Sequence, residues 1–138
     1  MIIDVEKAFI DYFTDRMSLI VGNGNGEVGL YRNRFPDDSN KEGICFFAEL
    51  KESWKDVYDF EDCGIRVICR TTNKEHTFWV TQNIDDVLDG VFDLNLNDDV
   101  QLRMSHRNAG PDFFEGDNDN FDYGTALYSI TVRNRIND

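Results

Sequence analysis

Histidine and cysteine are scarce in this chain of 138 residues, with two of the first and three of the second. Cys45, Cys63 and Cys69 are odd in number and form no CxxC pair. That argues against a disulfide framework and for reduced, buried thiols inside a cell. His76 and His106 lie far apart with no cysteine at zinc-ligand spacing, so no zinc site is expected. No apolar run approaches the roughly 18 residues of a membrane helix, and the first residues do not read as a signal peptide. Bases are few as well: 14 Lys and Arg stand against 27 Asp and Glu, a formal charge of -13. Such a balance favours solubility and works against direct binding to nucleic acid or anionic membrane. There is no GxSxG elbow, and "GNGNG" (residues 22–26) lacks the Lys-Ser/Thr of a phosphate-binding loop and reads as a turn. No catalytic residue, metal or cofactor is expected.

Phenylalanine, by contrast, is plentiful at eleven residues, enough for a real core in a single domain. Val5, Ala8, Phe9, Tyr12, Phe13 and Met17 repeat at the spacing of an amphipathic helix, with Asp4 as its cap. Residues 28–35 read as a strand stopped by Pro36 and the turn-forming "PDDSNKEG", and "ICFFAEL" (residues 44–50) as a second strand able to form a hairpin with it. A charged connection with Trp54, Tyr58 and Phe60 as anchors leads to a third strand, "CGIRVICRTT". There Cys63, Ile65, Val67 and Cys69 share one face, opposite Arg66, Ile68 and Arg70. Thr72 and Glu75 have capping-box spacing before a second helix with a stripe of Val80, Ile84, Val87, Leu88 and Val91. Asp85, Asp86, Asp89 and Asp93 fall mainly on its other side. A fourth strand (residues 99–108) sets Val100, Leu102, Met104 and His106 against Gln101, Arg103, Ser105 and Arg107. The last (residues 125–135) sets Tyr128, Ile130 and Val132 against Ser129, Thr131, Arg133 and Arg135. The expected fold is α+β, order αβββαββ: a mainly antiparallel sheet of about five strands with two helices packed on one face.

Charge placement points to contacts rather than chemistry. The acidic stretch "FEGDNDNFDYG" (residues 114–124) fails as an EF-hand: counted from Asp117, Phe121 falls at position 5 and Asp122 replaces the glycine. Asp112, Glu115, Asp117, Asp119 and Asp122 are instead expected on a mobile connection facing a lumen or a partner. Phe113, Phe114, Phe121 and Tyr123 are positioned to anchor it. Eight of nine arginines fall in expected strands. Arg32, Arg34, Arg66, Arg70, Arg103, Arg133 and Arg135 are candidates for a face that pairs with a neighbour's carboxylates, head to tail, in a ring. The alternative is that they cover an exposed sheet with their aliphatic stems.

Taken in order, "DVEKAFIDYFTDRM", "VGLYRNRFPDD", "ICFFAEL", "CGIRVICRTTNKEHTFWVTQNIDDVLDGVF" and "RNAGPDFFEGDNDNFDYGTALYSITVRNR" resemble the tail terminators and related minor capsid or head–tail joining proteins of tailed bacteriophages. The resemblance spans nearly the whole chain as a pattern of elements. It implies a homo-oligomeric, hexameric ring at the head-proximal end of the tail. Such a ring ends polymerisation of the tail tube protein and docks the head connector, while DNA passes through an acidic lumen without specific binding. It further implies a virion protein made in the host cytoplasm, with no catalytic residues. The long acidic segment departs from the shorter members of that family. A head-side stopper ring and a soluble acidic inhibitor imitating DNA are the alternatives.

Overall fold

The computed structural model describes residues 3–22, 28–36, 41–54, 60–116 and 120–135, with main chain alone at 50–54 and 60. The glycine-rich turn, the tip of the proline loop and the anchors Trp54, Tyr58 and Phe60 thus lie wholly or largely outside the described residues.

Helix α1 (Val5–Thr14) begins where the Asp4 side chain accepts the Lys7 N–H at 3.1 Å, satisfying a donor that a helix start leaves open. Val5, Ala8, Phe9, Tyr12 and Phe13 are its buried stripe, as the spacing implies. It stops short of Met17. The Thr14 hydroxyl turns back to the Ile10 carbonyl at 2.6 Å, and Asp15 puts negative charge at the negative end of the dipole; both disfavour continuation. The chain restarts as the short helix α2 (Met17–Val21).

Strand β1 (Gly29–Arg32) pairs with β2 (Gly43–Trp54) in parallel, Gly29 beside Gly43 and Arg32 beside Phe46. The hairpin expected between them does not form. Asn33, at φ 70°, carries the chain out of β1 in a conformation asparagine tolerates, and its N–H reaches the Phe46 carbonyl at 2.9 Å. The Tyr31 ring lies over both glycines, in the space a Cβ at either would fill. From β2 onward every pairing is antiparallel: β2 with β3 (Phe60–Thr71), β3 with β6 (Asp122–Asn134), β6 with β5 (Val100–Glu115), and β5 with β4 (Val91–Asn95). Among the described residues the sheet is therefore mixed and six-stranded, in the order β1-β2-β3-β6-β5-β4, rather than five-stranded. Strand β4 is the addition, and it takes Val91 from the end of the expected second helix.

That helix, α3 (Lys74–Leu88), is capped by Asn73, which accepts the His76 N–H at 3.1 Å. Thr72 does not cap it, because its hydroxyl and its N–H both donate to the Glu42 carboxylate, at 3.3 and 2.8 Å. The register sets Ile44, Phe46, Val67, Cys69, Ala126 and Tyr128 on one face of the sheet. Phe9 and Phe13 both stack on Phe46, at 5.9 and 5.6 Å between centroids, and all three are fully buried. The Tyr128 hydroxyl reaches α3 on the same face. Helices α1 and α3 thus cover one face of the sheet only.

Strand β5 departs from the expected alternation. A bulge between Leu102 and Met104 inserts Arg103 as an extra residue, which reverses the faces beyond it. Ser105 lies opposite Ile130 and Arg107 opposite Tyr128, on the helix side, while Met104 and His106 take the open side. Arg103 meets Asp93 at 2.9 Å across the bulge, where Asp93 adopts φ 52°.

Candidate functional site

The expected arginine face is largely engaged within the subunit. Arg32 spans Asp4 at 2.7 Å and Glu6 at 3.2 Å, which raises its already high pKa. Arg133 donates to Gln101 at 2.7 Å and Arg135 to the Asn97 carbonyl at 2.9 Å. With the Arg103–Asp93 pair, that accounts for four of the candidates. Arg70 is 5% exposed, donates to the Lys41 carbonyl at 3.0 Å and lies between the rings of Phe35 and Phe121, at 4.1 and 4.4 Å. It ties the loop after β1 to the start of β6, a cation between two ring faces. Among the described residues Arg66 has a single long contact, to the Thr125 hydroxyl at 3.5 Å, and Arg34 is exposed.

Arg107, by contrast, is inward-directed because of the bulge. It binds Asp85 at 2.7 Å, and the other Asp85 oxygen accepts the Tyr128 hydroxyl at 2.8 Å. Asp85 is 4% exposed, so its expected place on the polar side of the helix is corrected. Burial first, and then the carboxylate, push the Tyr128 phenol far above its usual range, so it stays a donor. The signal in the sequence was the phase of Thr77, Thr81 and Asp85, which continues the inner stripe of α3 at i+4. Cys69 and Cys45 are buried, and burial pushes their thiols up to about 12 and about 11. Neither is a ready nucleophile.

The acidic segment is strand at both of its ends. β5 continues through Glu115 and β6 starts at Asp122; these two residues pair, and the Gly116 N–H bonds the Phe121 carbonyl at 2.9 Å. Asp112 is an exposed strand residue opposite Thr125. Only Asp117 and Asp119 of the five acids lie outside the described residues. Among the described residues no group of three His, Cys, Asp or Glu is placed to hold a metal. The ends of the expected connection are thus the end of a long hairpin, in a ladder that runs through Phe114–Tyr123 and Glu115–Asp122.

The aromatic residues separate by face. Phe113, opposite Gly124, turns to the helix side and stacks on Phe78 of α3 at 5.0 Å. Gly124 has to be glycine for this: a Cβ there would run into Thr81 and the Phe113 ring. Phe114 turns to the open side and lies parallel to Tyr123 at 5.1 Å. Phe121 is buried under Arg70, so it anchors the fold and offers little surface to a partner. Between the start of α3 and the hairpin lies a groove of about 300 Å³, lined by Lys74, Thr77, Phe78, Phe113, Glu115 and Asp122 along with Phe114 and Tyr123. Phe78 and Phe113 remain 55% and 39% exposed.

No helix among the described residues is long and apolar enough to cross a membrane. Comparison with models of known protein families finds no match to the chain, and comparison with curated proteins finds none either.

Proposed function

We propose that the chain is a structural subunit of a ring at the head–tail junction of a tailed bacteriophage, ending growth of the tail tube and docking the head connector. The observation that carries this reading is the face of the sheet on which no helix packs among the described residues. Both long helices pack on the other side, and this face presents Phe47 and Met104, 39% and 40% exposed, among Ile68, Leu127, Arg66 and His106. A broad surface of mixed apolar and charged side chains suits a protein neighbour better than a small substrate. The element order supplies the resemblance on which the assembly rests, and an acidic exterior suits a passage that DNA must cross without adhering. Since most of the candidate arginines are engaged internally among the described residues, Arg34 and Arg66 are the two we assign to a neighbour's carboxylates. The same internal pairing favours a second reading, an acidic inhibitor that imitates DNA, because it leaves the outer surface less basic than the sequence suggests.

Light scattering over a range of concentrations, at low and high salt, separates the two. A ring-sized species that Arg34→Glu or Arg66→Glu breaks supports the subunit. A monomer under all conditions, including with a tail tube protein added, removes it and leaves the inhibitor.

A further inference from the structure

We propose that the groove between α3 and the end of the β5–β6 hairpin binds a basic peptide segment of a partner protein, the stem of an arginine or lysine lying on Phe78 and Phe113 and its charge meeting Glu115 and Asp122. The inference does not depend on ring formation. Three observations on the groove converge. Its apolar part is the stacked pair Phe78–Phe113, left open to solvent although a buried core is available to the chain. Its two carboxylates, Glu115 and Asp122, sit across from each other in the ladder and have no side-chain hydrogen bond or ion pair among the described residues. Its walls are set by rigid elements: Thr77 donates to the Asp122 carbonyl at 3.1 Å and bonds Thr71 at 2.7 Å, tying the helix to the hairpin.

Charge complementarity selects the occupant. Lys74 is the single base of the lining against two acids, and the whole molecule carries -13. An acidic ligand would meet repulsion at short and long range, whereas a guanidinium satisfies both a ring face and a carboxylate fork. An uncharged apolar segment would cover the rings but leave the two carboxylates beside a desolvated surface without partners. Most strand arginines of the same subunit are already committed. Arg70 is buried, and Arg103, Arg107 and Arg133 are engaged with other groups.

The test titrates the isotope-labelled chain with an acetylated, amidated Arg-Leu-Arg peptide and with its Glu-Leu-Glu counterpart, following backbone amide resonances. The expected result is a set of shifts confined to residues 74–78 and 113–124 with the basic peptide only. Glu115→Gln with Asp122→Asn should weaken it by about tenfold, and Phe78→Ser should weaken it with the rest of the spectrum unchanged. Shifts spread over the whole acidic surface, or equal in the double variant, would overturn the proposal in favour of unspecific attraction. So would concentration-dependent shifts of the same residues without peptide, which would identify a second copy as the occupant. Failure here leaves the ring reading standing, because the scattering experiment reads the open sheet face instead.

Discussion

At the scale of single residues, Asp85 holds the most consequential position. It is a buried carboxylate with two donors from different elements, Arg107 of β5 and Tyr128 of β6. Removing one partner of such a pair strands the other, which costs far more than the pair contributes. Asp85→Ala is expected to destabilise by about 3–5 kcal/mol and Tyr128→Phe by about 1–2 kcal/mol, read from urea unfolding. The buried thiols give a pH dependence. Cys69 keeps its proton up to about 12 when folded, against an ordinary value of 9.0. Below pH 9 both states hold that proton and nothing changes. Above it the unfolded chain releases the proton while the folded one does not, so stability falls by up to about 1.4 kcal/mol per pH unit for this thiol. Urea midpoints measured at neutral and at alkaline pH should diverge for the native chain. The divergence should be smaller in Cys69→Ala.

Among the elements, the β5–β6 hairpin, like the β1–β2 pair under Tyr31, packs into space that a missing side chain leaves. Gly124→Ala would force Thr81 and Phe113 apart, at a cost of about 1–3 kcal/mol. Faster amide exchange at the hairpin end and a weakened grip on the basic peptide should follow together. Much of the secondary structure was legible because each pattern is local: the stripe of α1, the alternation of β3 and β6, the inner face of α3. What was not legible depends on partners distant in sequence. The parallel pairing of β1 with β2 follows from where the chain returns after Asn33, and the adjacent apolar runs read equally well as a hairpin. Strand β4 is five residues long and follows a helix directly, so Val91 fits either pattern. The acid-rich end of β5 reads as a loop because aspartate and glycine disfavour strands, yet cross-strand pairing and the Phe114–Tyr123 stack override that preference. Six of the eight arginines expected in strands lie there, with Arg34 and Arg135 just beyond the ends of β1 and β6, but their partners were not readable, since an ion pair such as Arg32–Glu6 joins residues that only the fold brings together.

For the whole molecule, net charge sets the balance between solubility and self-repulsion. With -13 spread over a small body, screening should relieve repulsion more than it weakens the few internal ion pairs. Raising NaCl from about 0.05 M to about 0.3 M is expected to lift the melting temperature by a few degrees, measured by circular dichroism; a fall would mean that the internal pairs dominate. Sidedness is the other global property, since among the described residues the helices occupy one face of the sheet only. That division rests on parity, and at β5 parity turns on the single extra residue Arg103. Along most loops a lineage can gain or lose a residue at little cost. Here the hazard is a different one: drawing Arg103 into the ladder would act on the sheet as a frameshift acts on a message. Each residue from Met104 to Arg107 would change sides, His106 would be pressed under the helix and Arg107 would be drawn out to the open face. Descendants of this chain can therefore lose Arg103 with Leu102 and Met104 still opposite Val132 and Thr131, but they cannot straighten the strand around it without exchanging the faces.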